Sequence, residues 1–66
     1  MQIKVNGEAR AFEAPLSVAA LVDRLALNPR QVAIERNREI VSRSAYGDTL
    51  LSDGDAIEIV QFIGGG

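Results

Sequence analysis

The sequence predicts an α+β roll: a mixed sheet with one main helix packed across one face. Three observations predict it. One stretch, Val18 to Leu25, carries an apolar stripe at helical spacing. Two pairs of short alternating segments fold about turn signals, one at Asn6-Gly7 and one at Arg36-Asn37-Arg38. The longest apolar run, Ala56 to Phe62, comes last. One helix with one stripe covers one sheet face, so two layers are the simple packing.

Ile3 and Val5 alternate with Gln2 and Lys4, the pattern of a half-buried strand. Asn6-Gly7 is the strongest short hairpin signal, because a type I′ turn needs positive φ at both central positions. Glu8 to Phe12 is the return strand. A two-residue turn pairs Val5 with Glu8 and Ile3 with Arg10, and sets Phe12 on the core face. A three-residue loop would turn Ala9 and Ala11 inward instead. Burying one Phe contributes about 1.5–3 kcal/mol, which favours the first register, with the Arg10 stem laid over the edge.

Ser17 is a good N-cap for a helix from Val18 to about Ala26. Val18, Leu21, Val22 and Leu25 fall at i, i+3, i+4 and i+7. Asn28-Pro29 closes the segment, since the residue before proline avoids the helical region. Val32 and Ile34 alternate in a third strand, Arg36-Asn37-Arg38 turns, and Glu39 to Val41 returns. Ser42 to Leu51 is irregular, with one helical turn near Ser44-Ala45-Tyr46 and Tyr46 packed beneath it. Asp53-Gly54 turns into Ala56 to Phe62, whose apolar content places it in mid-sheet, parallel to the first strand. Hairpin, helix, hairpin and central final strand make the β-grasp, or ubiquitin-like, arrangement.

A chain of 66 residues is one small domain that buries only about 60% of its unfolded surface, too little for a core and a deep catalytic cleft. It has no cysteine and no histidine. That removes disulfides, thiolate metal sites and the commonest general base, and with them an autonomous Ser-His or Cys-His hydrolase. A net charge of −2 argues against general nucleic-acid binding, which needs phosphate neutralisation. No apolar run approaches the roughly 20 residues of a membrane span, and the start reads as a strand rather than a signal peptide. A cytoplasmic protein is expected. Asp53-Gly54-Asp55 lacks the further ligands of a calcium loop and reads as a plain turn. Arg36-Asn37-Arg38 reads as a solvated hairpin tip rather than a phosphate contact.

Gly64-Gly65-Gly66 follows the last strand directly. Three glycines in a row contribute little to a fold. Extended, they reach about 10 Å and carry a terminal carboxylate that is ionised at neutral pH. Such a thread fits a site too narrow for bulkier residues. The expected organisation is a domain over residues 1–63 and a flexible glycine tail over 64–66. A frayed end is the plain alternative.

The opening Met1-Gln2-Ile3, the hairpin Asn6-Gly7-Glu8, the helix Val18 to Leu25, the segment Glu35 to Ile40 and above all the block Asp53 to Gly66 carry a resemblance. Over essentially its whole length the chain resembles the small sulfur carriers of thiamine biosynthesis, the ThiS family. That family needs two terminal glycines, so Gly64 lengthens the thread. The resemblance implies a chemistry. A ThiF-like adenylating enzyme consumes ATP to activate the Gly66 carboxylate. Sulfur from a persulfide, such as that of a cysteine desulfurase, replaces AMP and leaves a thiocarboxylate. A ThiG-like thiazole synthase then takes that sulfur for the thiazole of thiamine. The domain is a protein cosubstrate rather than an enzyme, with no bound cofactor and no nucleic-acid or membrane partner.

Gly66 is the expected reacting residue, with Gly65, Gly64 and Ile63 forming the thread that enters a partner's groove. Glu58, Val60 and Phe62 alternate onto the sheet face opposite the helix and form the expected docking patch, with Asp53 and Asp55 adding charge complementarity. The competing arrangement folds Phe62 back over the sheet edge. Other functions open to this pattern are the small subunit of molybdopterin synthase, another thiocarboxylate carrier, a ubiquitin-like conjugation tag, or a non-covalent β-grasp adaptor for which the glycines are dispensable.

Overall fold

The computed structural model describes residues 1–62. Its elements run β1 (Gln2–Val5), β2 (Glu8–Ala11), α1 (Val18–Arg24), β3 (Val32–Arg36), β4 (Glu39–Val41) and β5 (Ala56–Gln61), with 3₁₀ turns at Pro29–Gln31 and Arg43–Ala45. The strands form one mixed sheet in the order β2-β1-β5-β3-β4. β5 lies in the middle, parallel to β1 and antiparallel to β3. This is the expected β-grasp roll.

The first hairpin takes the register that Phe12 favours. Val5 pairs with Glu8 and Ile3 with Arg10, around Asn6 at φ 51° and Gly7 at φ 84°. Phe12 lies just past β2, bonds through its N–H to the Met1 carbonyl at 2.9 Å and packs on the core. Ser17 caps α1, its Oγ accepting from Ala20 N–H at 3.0 Å. Val18, Leu21 and Val22 are fully buried and Leu25 is packed against them.

The helix ends sooner than its sequence suggests. Ala26 turns into the left-handed region at φ 58°. Its N–H donates to the Asp23 carbonyl and Leu27 N–H to the Val22 carbonyl, at 2.9 and 3.0 Å. Those two bonds are a Schellman motif, built here on alanine where glycine is usual. Asn28-Pro29 does not end α1; Asn28 Oδ1 caps the following 3₁₀ turn, accepting from Arg30 N–H. The left-handed conformation costs a side chain about 1–2 kcal/mol, and the extra freedom of an unfolded glycine returns about 0.5–1 kcal/mol of that. Ala26→Gly should therefore raise the melting temperature by roughly 2–8 °C, checked by thermal unfolding. An unchanged or lower midpoint would count against strain at this cap.

The second hairpin also differs from expectation. Arg36 belongs to β3 and pairs with Glu39, so the turn is the two residues Asn37 and Arg38, at φ 50° and 71°. Asparagine enters this region more readily than most side chains; Arg38 has only the tightness of the turn to hold it there. The core closes with Leu16, Val32, Ile34, Leu51 and Ile57. Tyr46 is buried beneath the loop after β4, as expected, its hydroxyl directed to the Val32 carbonyl at 3.4 Å. Among the described residues no helix is long and apolar enough to cross a membrane. The expected boundary between the domain and the glycine tail lies outside them.

Candidate functional site

β5 carries the chain toward Gly64-Gly65-Gly66, so its last residues define the candidate site. They are gripped on both sides. On the β3 side the ladder runs to Val32 opposite Gln61, and Phe62 N–H donates to the Gln31 carbonyl at 2.8 Å. On the β1 side, Lys4 N–H donates to the Asp55 carbonyl and Asn6 N–H to the Ile57 carbonyl, at 2.9 and 2.8 Å. There the backbone turns away at Gly7. The Asn6 side chain takes over: Ile59 N–H donates to its Oδ1 at 2.7 Å, and its Nδ2 donates to the Ile59 carbonyl at 3.2 Å.

Alternation along β5 sorts its side chains. Ile57 is buried and Ile59 half-buried beneath the helix layer, while Glu58, Val60 and Phe62 are exposed. Val60 is 59% exposed and Phe62 47%, so Phe62 does not fold back to complete the core. Register extends this open face across the sheet. Ala33 lies opposite Val60, and Glu35 opposite Glu58. Glu35 in turn faces Ile40 on β4, which is 71% exposed. The face therefore has an acidic centre, Glu35 and Glu58, flanked by Ile40 on one side and by Val60 and Phe62 toward the strand's end. The sequence reading missed Ile40. Its signal was register: counting back through the two-residue turn puts it on the same face as Glu58.

Asp55 does not add charge to that face. It is buried, and its carboxylate accepts from Arg36 Nε at 2.9 Å, Asn37 Nδ2 at 3.0 Å and Ser52 N–H at 2.8 Å. Burial pushes this carboxyl up; the Ser52 N–H, the Asn37 amide and the Arg36 guanidinium together outweigh that and hold it below the ordinary aspartate value. Arg36 and Asn37 are accordingly more than a solvated hairpin tip. They lock the second hairpin onto the loop that opens β5, and Asn37 Oδ1 accepts from Ala56 N–H at 3.0 Å as well. Asp53 is exposed but occupied, its Oδ1 accepting from Gln2 N–H at 2.6 Å, while Gly54 N–H donates to the Gln2 carbonyl. The Asp53-Gly54-Asp55 turn is a strap between the first and last strands. Among the described residues no group of acidic side chains has the disposition of a metal site.

The structure thus brings Glu58, Val60 and Phe62 together on one face at the end of the central strand. Ile63, Gly64, Gly65 and Gly66 lie outside the described residues.

Comparison with known proteins bears directly on this arrangement. The chain is 50% identical over all of its 66 residues to a segment of a thiazole synthase from Paramagnetospirillum magneticum. It spans about one fifth of the length of the thiazole synthases it matches. It is 33% identical to the sulfur carrier protein ThiS of Escherichia coli (strain K12), with the whole of both chains covered. The crystal structure of the thiamine biosynthesis protein ThiS from Geobacter metallireducens superposes over the full length of both chains with a TM-score of 0.84 at 35% identity. The ThiS family model matches residues 3–66, from the first strand through the last glycine. The chain belongs to the ThiS family.

Proposed function

We propose that this chain is a sulfur carrier of thiamine biosynthesis that works through the carboxylate of Gly66. The observation that carries the proposal is a family match over residues 3–66, which takes in the terminal glycines, on a fold whose central strand is the last before them in sequence. The carboxylate oxygen is a poor leaving group. A ThiF-like partner converts it with ATP to an acyl-adenylate and pyrophosphate. The terminal sulfur of a persulfide then attacks the acyl carbon and expels AMP. A thiol then attacks the enzyme-side sulfur of the resulting acyl disulfide, forming a disulfide with it and releasing the thiocarboxylate, a softer and stronger nucleophile. The domain supplies position and a handle, and its partners supply the catalysis. Occurrence of a closely similar segment within thiazole synthases supports a ThiG-like synthase as the acceptor, because tethering raises the effective concentration of carrier at acceptor.

Intact-mass analysis tests this. After incubation with the adenylating enzyme, ATP and a persulfide source, one terminal oxygen should be replaced by sulfur, and thiazole synthase should consume the product. A mass that never changes excludes the carrier function and leaves the non-covalent adaptor. An isopeptide adduct to lysine would indicate conjugation instead.

Glu58, Val60 and Phe62 form the docking patch in this reading, with Ile63 to Gly66 entering the partner. Only a minority of interface side chains, the central anchors, cost more than about 1 kcal/mol each when truncated, and Val60 and Phe62 are the anchors in this reading. Phe62→Ser and Val60→Asp should each raise the KM for adenylation about fivefold to thirtyfold. Their melting temperatures should stay within a few degrees of the parent, because both side chains are exposed in the free domain. Unchanged KM values in steady-state adenylation assays would move the docking surface elsewhere.

A further inference from the structure

Asn6 sits at the tip of the first hairpin, where sequence assigns it one task. Positive φ at 51° suits the first position of a type I′ turn, and glycine would serve that task equally well. The side chain does something more. A parallel ladder alternates bonds out of and back into each strand. Between β1 and β5 the outgoing bonds of that series are Lys4 N–H to the Asp55 carbonyl, then Asn6 N–H to the Ile57 carbonyl. The next two bonds would need Ile59 N–H to reach a β1 carbonyl and a further β1 N–H to reach the Ile59 carbonyl. The chain has already turned, so no β1 backbone is there. The Asn6 carboxamide has the same acceptor and donor as a peptide group, and it makes both bonds, at 2.7 and 3.2 Å.

We propose that Asn6 is a positioning residue whose amide acts as an additional rung of the sheet and fixes the direction in which β5 delivers the glycine tail. The delivery rests on the function proposed above; the clamp itself does not. Without the amide, Ile59 N–H and carbonyl would face water on the β1 side. Three described residues follow Ile59, among them Val60 and Phe62, the apolar members of the docking face. The Asn6 amide is the last hold on the β1 side, and without it the β3 side alone would fix the course of the strand from Ile59 onward. Binding would have to order that loosened end, and ordering costs affinity. Asn37 provides the internal comparison. It occupies the same place in the second hairpin, at φ 50°, and its amide also grips β5, but at Ala56, the strand's beginning.

Asn6→Gly and Asn37→Gly together form the test, since glycine keeps both turns. In Asn6→Gly, exchange of the Ile59 amide measured by NMR should accelerate about tenfold or more. The Lys4 amide, at the other end of the ladder, should keep its protection. The KM for adenylation should rise about threefold to tenfold with kcat within about twofold, whereas Asn37→Gly should leave KM unchanged at comparable loss of thermal stability. Unaltered Ile59 exchange in Asn6→Gly overturns the clamp. Equal KM values for the two variants overturn its positioning role. If the parent chain itself is never adenylated, the proposed function fails, and Ile59 exchange still decides whether Asn6 holds the strand.

Discussion

Gly65→Ala is expected to leave thermal unfolding unchanged and to lower adenylation of Gly66 by about a hundredfold or more. An adenylating site must bring the terminal carboxylate in line with the α-phosphate of ATP, and a misplacement of about 1 Å in such a geometry is sufficient for a loss of that size. In the proposed function the tail enters a narrow partner site, where a Cβ at position 65 would obstruct passage; it also narrows the φ/ψ range open to the residue. Addition of one residue after Gly66 moves the carboxylate by about 3.5 Å and should abolish the reaction. The strand preceding the tail is held through Phe62 by bonds of its own, so both variants report on activation rather than on folding. The measurement is pyrophosphate release with the adenylating enzyme, beside a melting curve. Normal turnover by either variant would falsify the thread mechanism.

Asp55→Ala is expected to lower stability by about 2–4 kcal/mol. The carboxylate accepts from Arg36 Nε, Asn37 Nδ2 and Ser52 N–H, and hydrogen bonds to a charged group are about twice as strong as neutral ones, so losing three together is costly even though the donors reach water. A domain of this length has only about 3–10 kcal/mol in total, so the variant should melt roughly 10–25 °C lower. The effect also depends on pH. Asp55 is held below its ordinary value in the folded state. Its contribution is therefore present in full above the unfolded value of about 3.9 and is lost as pH falls through the lower folded value. The stability gap between parent and Asp55→Ala, measured by urea unfolding, should be constant from neutral pH to about 5 and close progressively below about 4. A gap that persisted unchanged to pH 2 would show that Asp55 acts by packing alone.

Asp55 also marks where the sequence stopped being legible. The first hairpin was readable to the residue, because Asn6-Gly7 sets the turn and Phe12 penalises the wrong register. The helix was readable from its stripe, and the central place of β5 from its apolar content. Each of these signals is local. Asp55, Arg36 and Asn37 are each polar and each follow or form a turn, so local reading put them in water. Only the pairing of β3 with β5 brings Arg36 opposite Ile57 and within reach of the carboxylate. The short helix was misjudged for a related reason. Nothing in Leu25-Ala26-Leu27 announces a left-handed residue, and Leu27 must leave the helix to pack on the core. On the open face, Glu58, Val60 and Phe62 were legible from alternation within one strand. Ile40 needed the register of two hairpins at once. Asn6 was recognised for its backbone and missed for its side chain, since the partner of that side chain lies 53 positions away.

The neighbour relation between the first and last strands has a bearing on biosynthesis of the protein itself. Val5 finds Ile57, 52 positions further along, only after the chain between them has been made, and neither flank of β5 has a partner nearby in sequence. Contacts so distant along the chain form late, so β5 is the closing piece of the sheet. A nascent or truncated polypeptide lacks that keystone and offers no ordered platform beside its end. Order at the open face of β5 arrives together with completion of the sheet.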